Sequence, residues 1–166
     1  MENKVIQATI RTSEGYETIG IDHLTESMDI VKIGNKHMKP FVFVREFDFT
    51  NLSDVDSEIY DIDQKIYKYV GVSSEEYFSE ITSKWVNQNI NQDNRISKIL
   101  ENIESMLNDY IEPKDLNDYI NQNSRILTYC DTIEQAQAIE KSLIGIVQLE
   151  EEKWGLDVIC LNTKDK

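Results

Sequence analysis

Glu140 occupies a position that calls for chemistry. Over residues 133–147 the apolar residues Ala136, Ile139, Leu143 and Val147 define one helix face, and at about 100° per residue Glu140 falls near its middle. A carboxylate there is paired, protonated or bound to a metal, because burying it alone is costly. Otherwise that end of the helix is open and the side chain reaches solvent. The second feature is the stretch EIYDIDQKIYKYVGVS at 58–73. A turn at Asp63-Gln64 would make it a β-hairpin, with Tyr60 opposite Tyr67 and Tyr69 on the same face as Tyr67. Tyrosines on a half-buried strand pack their rings and keep their hydroxyls wet. Two phenols held side by side can also move protons. Gly71 would end the second strand and let a ligand or helix approach the backbone.

Other residues offer less. His23 and His37 sit in polar stretches with no serine or cysteine nucleophile context, and read as surface histidines. Cys130 and Cys160 lie inside apolar runs and read as buried free thiols. No spacing of Cys and His suits zinc, and no glycine-rich loop suits a nucleotide phosphate. The acidic run EEEKW at 150–154 reads as a solvated loop.

These residues are placed by two different patterns. Ile6, Ala8 and Ile10 alternate with polar neighbours, YETIGI and MDIVKI suggest further strands, and FVFVREFDF opens a strand directly after Pro40. The polar TNLSDVDS then marks a boundary, giving an N-terminal antiparallel β extension at 1–53. Residues 54–166 read β-β-α-α-β-α-β. Ser73 with Glu76 has capping-box spacing, Asp93 is a candidate N-cap, and a stripe from Ile96 to Tyr110 marks a long helix. PKDLNDYI forms a short helix, RILTYC a strand, Thr132 with Gln135 a second capping box, and LDVICLN a closing strand. The expected fold class is α/β, a small mixed β-sheet flanked by helices and preceded by the N-terminal β segment, which is either a separate extension or part of one compact unit.

The chain has 166 residues, 40% of them apolar, enough for a core without disulfides or metal. No apolar run approaches a membrane span, and the N-terminus has no signal-peptide core, so the expected setting is the cytoplasm, with no membrane partner. Seventeen basic against thirty-one acidic residues give a net charge of −14. Residues 1–54 hold 6 basic and 9 acidic residues and the remainder 11 and 22, so the acidity is concentrated in the second part. Such a surface repels nucleic acid at long range and favours basic partners, or simply keeps the protein soluble.

The triplet Glu58-Ile59-Tyr60, eight residues, then Tyr69-Val70-Gly71 resembles the paired signature of the GIY-YIG nuclease family. The following order is similar too: helices, the strand RILTYCD, a helix containing AQAIEKSLI, and Leu161-Asn162. The resemblance covers about residues 56–164. It implies a GIY-YIG-like α/β domain and a metal-dependent endonuclease acting on DNA or RNA. It also implies Glu140 as the ligand of one Mg²⁺ or Mn²⁺ ion, Tyr60 and Tyr69 at the scissile phosphate, and Asn162 in support. The family's phosphate-clamping arginine has no counterpart in SSEEYFSEITSKW, where Lys84 stands in, or else Arg95 serves after a longer insertion. Glu58 replaces the first signature glycine. The basic residues at hand for a nucleic acid are Lys65, Lys68, Lys84, Arg95 and Lys98. The other reading is a non-catalytic acidic protein that binds and inhibits a basic nucleic-acid-binding partner. Such a nucleic-acid mimic, of anti-restriction or anti-CRISPR type, would present acids such as Asp109, Glu112, Asp115 and Asp118 in a contiguous face.

Overall fold

Directly after Pro40 the eight residues FVFVREFD form the strand on which the molecule is built. The computed structural model describes residues 39–74, 78–109 and 115–162 in full, and the backbone alone of 5–12 and 15–22. The expected strand MDIVKI lies outside them. Strands β1 (Val5–Thr12) and β2 (Gly15–Asp22) pair antiparallel as an N-terminal hairpin. After them come β3 (Phe41–Asp48), α1 (Asp54–Tyr60), β4 (Ile66–Ser73), α2 (Phe78–Asn89) and α3 (Arg95–Asn108). The chain closes with α4 (Leu116–Gln122), β5 (Ser124–Tyr129), α5 (Ile133–Glu152) and β6 (Val158–Cys160).

The main sheet has the order β5-β3-β4-β6. β3 pairs antiparallel with both β4 and β5, and β4 pairs parallel with β6. The architecture is therefore α/β, a mixed four-stranded sheet flanked by helices. β3 lies in the middle of this sheet, so the boundary expected at 53/54 falls inside it, between a central strand and the first helix. Both faces of β3 are covered, which is why its sequence is almost continuously apolar and not half polar. On one face Phe41, Phe43, Arg45 and Phe47 meet α2, α3 and α4 through Phe78, Trp85, Leu100, Ile103 and Ile120. On the other, Val42, Val44, Val70 and Cys160 pack against Ala136 and Val147 of α5. Cys130 and Cys160 are buried and form no disulfide, as their apolar neighbours suggest.

Capping decides most of the helix starts. Thr132 Oγ1 accepts from the Gln135 N–H at 3.1 Å, and the Gln135 side chain accepts from the Asp131 N–H at 3.0 Å, so the capping box at α5 forms. At α3 the cap is Asn94, one residue beyond Asp93, with its side chain on the Ser97 N–H at 2.8 Å. Ser73 is the last residue of β4 and the described part of α2 begins at Phe78, so the expected capping box with Glu76 lies partly outside the described residues.

The main departure from the sequence reading is SEIYDID, which is not a strand. Ser53 Oγ accepts from the Asp56 N–H at 3.1 Å, Asp54 and Asp56 sit in the positive first turn, and residues 54–60 wind into α1. Asp61 stops the helix in the left-handed region at φ 55°, a conformation aspartate tolerates better than most residues. The expected hairpin around Asp63-Gln64 therefore does not exist, and the residue opposite Tyr67 is Phe47 of β3. Residues 150–152 also differ from expectation: they finish α5. Glu150 pairs with Lys68 at 3.3 Å, and Glu151 with Arg95 at 2.8 Å, tying the helix end to β4 and α3.

Candidate functional site

Pairing of β6 with β4 stops at Lys68, while β4 runs on to Ser73. The outer edge of β4 past that point opens between α2 on one face and α5 on the other. A cleft of about 280 Å³ lies there. Tyr69, Gly71 and Ser73 of β4, Lys84, Trp85 and Gln88 of α2, and Glu140 of α5 line it, with Phe43 behind. A phenol, an ammonium and a carboxylate from three elements far apart in sequence thus share one opening.

Each group is tuned by its surroundings. Glu140 is half-buried, and burial raises its pKa above the ordinary carboxylate value. No hydrogen bond or ion pair to Glu140 is made among the described residues. Burial also raises the Tyr69 phenol; the Arg45 charge works against this and Glu140 adds to it, so Tyr69 is a neutral donor at neutral pH. Tyr69 packs on Trp85 with ring centroids 5.0 Å apart. The Trp85 indole N–H makes no hydrogen bond of good geometry among the described residues, although it is near enough to the Tyr69 hydroxyl to favour the phenolate. The Phe43 ring closes over Gly71: a Cβ at 71 would sit 2.5 Å from Phe43 Cζ. Gly71 is thus required by space inside the strand, where it supports the cleft wall, and it does not end the strand.

Behind this wall lies Arg45, which the sequence reading passed over. It is 0% exposed at the centre of β3 and directly opposite Tyr69. Its guanidinium rests among the rings of Trp85, Phe43 and Phe78 at 4.6, 4.8 and 5.2 Å. The signal was present in FVFVREF, where a charged residue interrupts a strand at a core-facing position.

The remaining sequence candidates fall elsewhere. Tyr60 ends α1 and donates its hydroxyl hydrogen bond to Asp109 at 2.6 Å, away from the cleft. Its expected place beside Tyr69 is corrected: the N-cap at Ser53 turns its segment into a helix. Arg95 lines a separate cleft of about 340 Å³ with Lys65, Lys98 and Tyr67, and its guanidinium is engaged by Glu151 and the Cys160 carbonyl. Of the two expected clamps, Lys84 is the one at the cleft.

Asn162 adjoins the site through backbone contacts. Its amide accepts from the Val70 N–H and donates to the Val70 carbonyl, both at 2.8 Å. The side chain thus imitates one more residue of β6 and seals the β4 edge next to Tyr69. Asn162→Ala would leave both backbone groups of a buried residue unpaired. It is expected to lower stability by about 1–3 kcal/mol, measured by urea unfolding.

Glu140 suits a metal held by one protein ligand. Mg²⁺ keeps several waters and is bound through one or two carboxylates plus substrate phosphates. An otherwise uncommitted carboxylate facing a cleft fits that description. No group of three or more His, Cys, Asp or Glu side chains suited to a metal occurs among the described residues. Likewise, no helix among them is long and apolar enough to cross a membrane. Comparison with family models, curated proteins and solved structures yields no match to this chain.

Proposed function

We propose that the cleft at the β4 edge hydrolyses phosphodiester bonds with a divalent metal, in the manner the GIY-YIG resemblance implies. One observation supports the reading: Tyr69, Glu140 and Lys84, one of the two clamps the family resemblance leaves open, line the same opening. Glu140 would hold one Mg²⁺ or Mn²⁺. Bound there, a divalent ion supplies charge neutralisation at the phosphate oxygens and the leaving group. Lys84 extends its ammonium toward the phosphate as a point charge. Tyr69, a neutral phenol at neutral pH, donates to a phosphate oxygen or relays a proton with the attacking water. Trp85 and Phe43 give the cleft a dry inner wall, which strengthens these interactions. DNA or RNA would be the substrate.

The test is plasmid DNA and RNA cleavage with Mg²⁺ or Mn²⁺ against a chelator control. Lys84→Ala is expected to slow cleavage on the order of 10²-fold, the scale of losing one transition-state donor. Lys84→Arg is expected to speed it severalfold, because a guanidinium clamps phosphate with two parallel bonds. Cleavage indifferent to both substitutions would sink the reading.

One observation favours the alternative, an acidic protein that binds a basic nucleic-acid-binding partner. The β3–β4 connection carries α1, a helix with no buried residue that exposes Val55 and Ile59 beside Asp54, Asp56 and Glu58. Wild-type protein that cleaves neither substrate with either metal would make this the preferred reading.

A further inference from the structure

Arg45 is a buried cation with no carboxylate hydrogen-bonded or ion-paired to it among the described residues. Its NH1 donates to Ser124 Oγ at 2.8 Å and to Thr82 Oγ1 at 3.2 Å. Both hydroxyls spend their own protons elsewhere, Ser124 on the Ile120 carbonyl and Thr82 on Asn121 Oδ1. Only lone pairs therefore face the guanidinium, and three aromatic faces complete its surroundings. Every neighbour suits a charged arginine, yet none neutralises it. Nε and NH2 have no hydrogen-bond partner among the described residues.

A core position seldom keeps such a charge, because an apolar residue of similar volume is often as stable or more so. Packing alone does not account for it. What distinguishes the position is its neighbours: Phe43, Trp85 and Tyr69, which surround or adjoin Arg45, are also the inner wall of the cleft. An unneutralised charge behind a low-dielectric wall projects its field into the space in front, with little screening by water. Among the described residues, the other charged groups at that space are Lys84 from α2 and Glu140 from α5.

We propose that Arg45 is a positioning residue for the cleft: a buried, carboxylate-free cation behind Phe43, Trp85 and Tyr69 whose field makes the cleft select a phosphate-type anion. Arg45 does not line the cleft, so it acts through the wall and not by contact. Burial pushes its pKa down to about 9, which leaves it charged at neutral pH. The inference rests on the phosphodiester reading for its meaning, but it concerns binding and not turnover.

The experiment is calorimetric binding of thymidine 3′,5′-bisphosphate in Mg²⁺, with uncharged thymidine as control. The proteins compared are wild type, Arg45→Met and Arg45→Lys, with Tm measured for each. Arg45→Met is expected to bind the bisphosphate about tenfold more weakly while its Tm is unchanged or higher. Arg45→Lys, which keeps the charge, is expected to restore most of the affinity. A structural residue would behave in the opposite way, with a lower Tm and no loss specific to the anion. Equal affinity in wild type and Arg45→Met overturns the inference and leaves the phosphodiester reading standing. So does an Arg45→Met protein that fails to fold, since the charge would then serve the core. A wild type that binds no bisphosphate overturns both.

Discussion

Glu140→Ala is expected to reduce Mg²⁺- or Mn²⁺-dependent cleavage by at least ~10²-fold without unfolding the protein. The size follows from the site: among the described residues Glu140 is the one carboxylate lining the cleft, so none of them can take over a metal. The direction of the stability change follows from its pKa. Burial raises it, so between the ordinary carboxylate value and the raised one the folded state holds the extra proton. Above that window the ionised side chain is a cost to the fold, and removing it relieves that cost. Glu140→Gln should therefore match or exceed the wild-type Tm at neutral pH while losing activity as Glu140→Ala does. The same raised pKa predicts that metal-dependent cleavage falls off on acidification at a higher pH than an ordinary glutamate would give. Tyr60→Phe is the control: it lies outside the cleft and should leave the rate within about twofold while losing the surface hydrogen bond to Asp109. Nicking rates and Tm on the same preparations check all of these. A Tyr60→Phe rate as low as that of Glu140→Ala would mean that the cleft is wrongly drawn.

Gly71→Ala is expected to be the most damaging small substitution near the site, lowering stability by about 1–3 kcal/mol. An added Cβ would fall 2.5 Å from Phe43 Cζ and 2.9 Å from Cε1. The Phe43 ring has nowhere to retreat, being packed edge-on against Phe78 with centroids 5.3 Å apart and beneath the Arg45 guanidinium. Either β4 bends away from β3 or the ring moves into the cavity holding Arg45. Both routes disturb the cleft wall, so bisphosphate affinity should fall together with stability. Urea unfolding at equilibrium gives the first quantity and calorimetry the second. A Gly71→Ala protein as stable as wild type would show that β4 yields more easily than its paired, buried setting suggests.

The sequence alone determined those features that depend on local chemistry repeated at regular spacing. The strands at 5–12 and 15–22 and the helix stripe after Asn94 were legible from alternation and 3.6-residue periodicity, and the strand at 41–48 from its run of Phe and Val directly after Pro40. The start of α5 was legible because a capping box is a contact between residues three apart. Glu140 was legible for the same reason, as a charge in an apolar stripe. Local patterns misled where two readings compete over a few residues. SEIYDID alternates well enough for a strand, and only its Ser53 cap and left-handed Asp61 end fix it as a helix.

Tertiary structure decided what meets what. No spacing in the chain says that β4 pairs with β3 in place of residues 58–60, because strand partners are chosen by faces buried across the whole sheet. That choice removed Tyr60 from the cleft, kept Tyr69, and put Lys84 rather than Arg95 beside Glu140. It also turned Arg45 from an interruption in an apolar run into a buried cation behind the wall of the cleft. A charge in a strand has no fixed meaning until the sheet shows which residues surround it and whether any of them carries the opposite charge.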